Sequence, residues 1–219
     1  VNILGASDTT FFFFFYLHQT GSYLCVTGYQ LKKHSNAWGE HLKENYYQSQ
    51  IGSILFRYAE ALLNYAEARA ELGEINQSDI DLTINKLRDR VGMARLQLSN
   101  ITNDPQWDYP SLSPIINEVR RERRVELAFE GLRLHDFLRW RAHPLIVNKR
   151  SLGAKFVQAD FPEMKPGINI YLDANGYIDP YLKALPAGYG FKPERDYLNP
   201  LPALELTLNK NYTQNPGWQ

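Results

Sequence analysis

The sequence predicts a mainly α-helical protein with a loop-rich C-terminal part and a few short strands. Three observations carry this. Apolar residues recur at helical spacing across 53–72, 78–91 and 115–140, and these stretches close at Gly73, Gly92 and Pro144. Beyond Val147, glycine and proline recur and helical periodicity fades. Composition is 44% hydrophobic and 22% charged over 219 residues, so the chain can bury a core. We expect a loop and short-strand segment at 1–50, a helical core at 51–144, and an irregular part of the same domain at 145–219.

Taken in order, Phe11–Tyr16 is an aromatic run of high β-propensity that must bury both faces or meet an interface. Tyr23–Gln30 is a second candidate strand, and Asn36–Gln50 reads as loop. Ser53 to Leu72 is a helix, with Leu55, Tyr58, Ala59, Leu62, Tyr65, Ala66 and Leu72 on its stripe and Gly73 at its C-terminus. Ser78 or Asp79 caps the next helix, whose stripe is Ile80, Ile84, Leu87 and Val91 and whose stop is Gly92. The short link forces an antiparallel hairpin. Met93 to Leu112 is loop. Ser113 caps and Pro114 opens a helix that runs from Ile115 to about Glu130. Gly131 permits a close approach or small kink, and the pattern resumes through Leu132, Phe137, Leu138 and Trp140. Ile168–Leu172 and Gly176–Ile178 are short strand candidates around an Asp173–Gly176 turn. A short helix falls near Ala203–Leu208.

Lys plus Arg equals Asp plus Glu at 24 each, so bulk charge draws in neither nucleic acid nor an acidic membrane. The single cysteine, Cys25, excludes an intrachain disulfide. The Phe11–Leu17 run before it is no secretory segment: it is short, follows Asp8 without a basic residue, and lacks small residues at Ser22-Tyr23-Leu24. No stretch reaches the ~20 apolar residues of a membrane span. The chain opens at Val1 without an initiator Met, and we expect an upstream segment carrying an export signal. The histidines show no zinc-protease spacing, and neither a phosphate-binding glycine loop nor a nucleophile elbow is present. Asp173-Ala174-Asn175-Gly176 resembles the opening of a calcium loop but lacks its later carboxylates. We therefore assign no catalytic residue, metal or cofactor. Two carboxylates suffice for glycoside hydrolysis, so that class stays open.

Between Glu118 and Arg141, seven arginines meet five acids, and acids recur every fourth residue from Glu118 to Glu130. Ion pairs at helical spacing would make this a solvated face. A nucleic-acid helix is a second reading, opposed by the interleaved glutamates, which repel phosphate. A third reading fits better. Val119, Val125, Leu127, Phe129 and Leu132 share the segment, so charges ring nearly the whole helix and some must face protein. Partly buried Arg–Glu pairs then hold neighbouring helices in register.

Several motifs now resemble one family. Arg57-Tyr58-Ala59-Glu60-Ala61-Leu62-Leu63-Asn64-Tyr65-Ala66-Glu67-Ala68 resembles the central helix of SusD/RagB-type nutrient-binding lipoproteins, and Ile84 to Gly92 resembles the helix that follows. Glu122-Arg123-Arg124-Val125-Glu126-Leu127-Ala128-Phe129-Glu130-Gly131-Leu132-Arg133 is similar to their most characteristic stretch, continued by Asp136-Phe137-Leu138-Arg139-Trp140. Tyr197 to Pro202, Glu205 and Gln214 to Trp218 resemble the C-terminus, and Thr27-Gly28-Tyr29 with Lys33 a motif before the central helix. His135 and Leu201 depart from the pattern, where an aromatic and an isoleucine are usual.

The resemblance implies a tetratricopeptide-like hairpin in a SusD-like fold, and a lipoprotein on the outer face of the bacterial outer membrane. It would bind a glycan or other nutrient without chemistry and pass it to a SusC-like TonB-dependent transporter. Its membrane attachment would be a lipid anchor absent from this chain, which we expect to lack the family's amino-terminal half. A protein–protein adaptor without a small ligand is the alternative. Arg57, Glu60, Glu122, Arg123, Glu126, Glu130, Gly131, Arg133, Asp136, Arg139 and Trp140 are read as structural. Sugars need aromatic faces beside polar side chains, and two loops offer them: Trp38 with Tyr46 and Tyr47, and Trp107 with Asn103, Asp104 and Tyr109. At each, an aromatic that anchors its own loop is the competing reading.

Overall fold

The computed structural model describes residues 26–29, 33 and 54–218. They fall in two compact units, one within Asn36–Arg139 and one joining parts of Val1–Ser35 and Trp140–Gln219. The Phe11–Tyr16 strand and the Asn36–Gln50 loop lie outside the described residues. Of Tyr23–Gln30, residues 26–29 are described, and they form a turn and bend. The fold is mainly helical.

The first unit holds α1 (Tyr58–Glu71), α2 (Gln77–Leu82), α3 (Ile84–Arg90), α4 (Pro114–Glu126) and α5 (Arg133–Arg139). Helix α1 begins five residues later than the apolar pattern suggests. Arg57 is extended at φ −141° because its guanidinium is drawn away to Glu126 and Glu130. Its buried stripe is Ala59, Leu62, Leu63, Ala66 and Ala70, with Glu67 buried among them. Leu55, Tyr58, Tyr65 and Leu72 are exposed instead. The Tyr65 hydroxyl donates to Asp79, which holds the ring at the edge of the helix rather than in the core.

Gly73 (φ 70°) and Gly92 (φ 66°) end α1 and α3 in the left-handed conformation. At each, the residue after the glycine donates to the carbonyl five back: Glu74 to Arg69 and Met93 to Arg88. The second predicted helix is two. Thr83 (φ −122°, ψ −90°) breaks it, its hydroxyl donating to the Asp79 carbonyl. The cap is Asn76, in a reciprocal box with Asp79, rather than Ser78 or Asp79. Ser113 takes the N-cap position of α4 with Pro114 in its first turn, but its side chain makes no capping bond. The third stretch also divides, by a break rather than a kink: α4 stops at Glu126, and α5 starts after Phe129 (φ 63°) and Gly131 (φ 79°).

Two apolar clusters hold this unit. Ala66, Ala70, Ile80, Ile84, Leu96 and Val119 form one, and Ala59, Leu62, Leu63, Leu87 and Leu127 the other. Small residues on α1 let its neighbours approach closely, and both clusters draw from α1 and from α3.

In the second unit the expected strands reduce to isolated bridges, Leu172 with Ile178 and Pro166 with Ile170 among them. Pro162, Pro166 and Pro180 lack the N–H a ladder needs. Phe161, Ile170 and Ile178 are its buried apolar cluster. The Asp173–Gly176 turn forms, and the Asp173 carboxylate accepts from the N–H groups of Asn175 and Tyr177. The last helix, α6, spans Ala203–Leu208.

Candidate functional site

Helix α4 has a Pro start, four arginines at 120–124 and three glutamates, yet Asn117, Glu118, Val119, Arg120 and Arg123 are buried. Each of its faces meets a different neighbour. Toward α1, Arg120 reaches Glu71 at 2.9 Å, and Arg123 donates to Asn64 at 2.6 Å. Toward α5, Arg123 Nε meets Asp136 at 2.8 Å with both side chains almost fully buried. Toward α3, Glu122 accepts from Arg88, with Glu118 at 3.6 Å from the same guanidinium. At its C-terminal end, Glu126 takes Arg57 at 2.5 Å and Arg90 at 2.7 Å.

The pairing also joins the neighbours of α4 to one another. Arg139 of α5 binds Glu67 of α1 and Asp136 of its own helix. Burial alone would lower its guanidinium, but these two carboxylates hold it above its ordinary value. Arg57 is raised in the same sense, chiefly by the Glu130 hydrogen bond. Most pairs therefore join distant parts of the chain, not neighbours at helical spacing.

The loop after α3 is held with equal care. Asn85, fully buried, accepts from the Leu96 N–H at 2.6 Å and donates to its carbonyl at 3.1 Å. Gln77 accepts from Leu98 and donates to Leu96, and Arg88 donates to the Ala94 carbonyl. The fixed segment forms one wall of a polar cleft of about 220 Å³. Buried Arg88 and Glu118 line it together with Arg95, Gln97, Asn100, Thr102, Arg121 and the apolar Leu96 and Ile101. Sequence reading missed these residues. The signal was available in the alternation of Leu96, Leu98 and Ile101 with Gln97, Ser99, Asn100 and Thr102, which marks a loop pinned by its apolar side.

The predicted loop lies beside this cleft. Asp104 pairs with Arg121 at 3.5 Å, and Asp108 with Arg124. Asn117 bonds both the N–H and the carbonyl of Tyr109, whose ring lies under the Arg120 guanidinium at 4.5 Å. Burial raises the Tyr109 phenol, while the charges of Arg133 and Arg120 act to lower it. The Trp107 Nε1 is buried and makes no hydrogen bond among the described residues. Asn103 is exposed. Trp38, Tyr46 and Tyr47 lie outside the described residues. Glu60 is half-buried in the first turn of α1, Arg133 opens α5, Gly131 lies in the break before it, and Trp140 belongs to the other unit.

A sequence model of the SusD family matches residues 24–218. A curated relative, SusD-like protein P2 of Formosa agariphila, is 31% identical over 174 residues, which is 78% of this chain and 27% of that protein. A solved structure named BT4246 superposes with a TM-score of 0.53 at 31% identity, over 78% of this chain and 25% of that one. The chain thus spans about a quarter of the length of the relatives it matches.

Proposed function

The chain belongs to the SusD family, and on that premise we propose that it is the C-terminal portion of a non-catalytic protein that captures glycan at the bacterial outer surface and passes it to a SusC-like TonB-dependent transporter. The family is one of nutrient-binding proteins associated with uptake. The observation that carries the reading is the extent of the match: it runs through both units, including the charged helix α4 and the C-terminal motif.

In this reading α4 is scaffold. Its arginines are committed to carboxylates on α1, α5 and the loop before it, which leaves loops and the clefts beside them to meet ligand. Delivery needs a ligand released unchanged. In this reading the attachment is a lipid anchor. No helix among the described residues is long and apolar enough to cross a membrane.

The test is calorimetry against a glycan panel, coupled to chromatography of the recovered glycan and to copurification with a TonB-dependent barrel. We expect binding, recovery of intact glycan and a barrel partner. Shortened products would make the protein a glycosidase. A partner without any glycan binding would make it an adaptor.

A further inference from the structure

We propose that the cleft between α3, α4 and the loop after Gly92 is a subsite for one neutral sugar unit, held by its hydroxyl groups. This rests on the nutrient-binding reading and names a site and a ligand class for it.

Size sets the first limit. At about 220 Å³ the cleft is smaller than the roughly 300–1,000 Å³ of pockets for drug-sized ligands, so it suits a single ring. Free polar groups set the second. The side chains of Gln97, Asn100 and Thr102 are exposed, line the cleft, and make no hydrogen bond among the described residues. Two amides and a hydroxyl supply donors and acceptors together, which is what sugar hydroxyls require.

Charge decides between neutral and anionic ligands. Arg88 is paired with Glu122, Arg95 with Asp89 at 2.9 and 2.7 Å, and Arg121 with Glu118 at 2.5 and 2.7 Å. An entering anion must displace a carboxylate or share its cation. A hydroxyl accepts from a guanidinium N–H and donates to the neighbouring carboxylate without breaking the pair. No aromatic side chain among the described residues lines the cleft, so they grip the unit at its edge rather than stack on its face.

The wall is also preorganised. Asn85, Gln77 and Arg88 fix the backbone of Ala94, Leu96 and Leu98 through bonds within the protein, so little ordering is left to oppose binding.

The probes are linear neutral oligosaccharides of glucose, mannose and xylose, with oligoglucuronate as the anionic arm, titrated calorimetrically into the protein and into its Gln97→Ala/Asn100→Ala double variant. Neither side chain has a hydrogen-bond partner to lose among the described residues, so melting should not change. At least one neutral probe should bind the wild type, and the double variant should bind it about tenfold more weakly. Equal affinity in the double variant overturns the cleft and leaves the nutrient-binding reading standing; loss in Trp107→Ala alone would move the site to the neighbouring loop. Binding confined to oligoglucuronate overturns the neutral class. No binding to any probe counts against the nutrient-binding reading itself, and the proposal falls with it.

Discussion

Arg123, in the helical unit, lies between Asp136, Glu67 and Asn64; Gln214, in the turn-rich unit, clasps the N–H and carbonyl of Leu201 at 2.7 and 2.9 Å. Both tie distant chain together, but by different chemistry. Helices satisfy their own backbones, so side chains between them are free to pair charge with charge. Turns leave backbone groups open, and side chains are spent on them. Gln158 on Phe161 and Met164, Asn215 on Asn199, and Trp218 on Leu198 repeat the second pattern. Arg150 combines both: it pairs with buried Asp179 and donates to the carbonyls of Leu185 and Pro186.

The contrast is broken most directly at Arg123. Arg123→Ala removes one of the two arginines that hold Asp136, buried at 2% exposure, and leaves it with Arg139; we expect a loss of about 3 kcal/mol in chemical denaturation, the low end for breaking a buried pair. Replacing both, Arg123→Met with Asp136→Leu, should recover part of that loss, because the penalty lies in a buried carboxylate with too few donors and Arg139 keeps Glu67. A double variant no better than the single one would mean that the pair supplies net stability beyond register.

The helical unit was largely legible in sequence, and the reason is physical. Local signals such as Gly73, Gly92 and Pro114 act within one turn of helix, so their positions in sequence are their positions in space. What failed was tertiary. Arg57 is pulled extended by carboxylates about seventy residues on, and Tyr65 is held out by Asp79. The same limit hid the cleft, which depends on Asn85 and Gln77 reaching Leu96 and Leu98. It also blurred the short strands, whose turn was readable from Asp173 and Gly176 while the partners across it were not.

In the turn-rich unit the counterpart change is Gln214→Ala. It removes one acceptor and one donor from Leu201 and an acceptor from the Asn215 N–H. The site is only half-buried, so water replaces part of the loss, and about 1 kcal/mol is expected. Hydrogen exchange at Leu201 and Asn215 should rise, with amides of α4 unaffected. Spread of faster exchange into α4 would show that the two units do not respond independently.

Acid should weaken the helical unit by a smaller, graded amount. Burial pushes the Asp79 carboxyl up, but bonds from the Asn76 N–H, Tyr65 and Arg69 hold it below its ordinary 3.8. Asp89 is lowered too, mainly by Arg95. A depressed carboxyl contributes stability that is complete above its unfolded value and is lost as pH falls through the folded one. Melting temperature should therefore hold down to about pH 5 and drop below about pH 4, less steeply in Asp79→Asn. An equal drop in that variant would place the acid sensitivity elsewhere.

The smallest effect belongs to the residue next to the largest. Arg124 follows Arg123 on the same helix and also meets a carboxylate, Asp108, yet its side chain is 44% exposed against 6% for Arg123. Water screens the exposed pair, and ordering two surface side chains offsets much of the attraction. Arg124→Ala should cost no more than about 1 kcal/mol, and salt should remove most of that difference while leaving the Arg123→Ala loss nearly intact. The Trp107–Tyr109 loop should keep its position, since Asn117 and Arg120 still hold Tyr109. A cost near that of Arg123→Ala would mean that the Asp108 pair bears the loop, and that charge rather than burial decides which arginines of α4 matter.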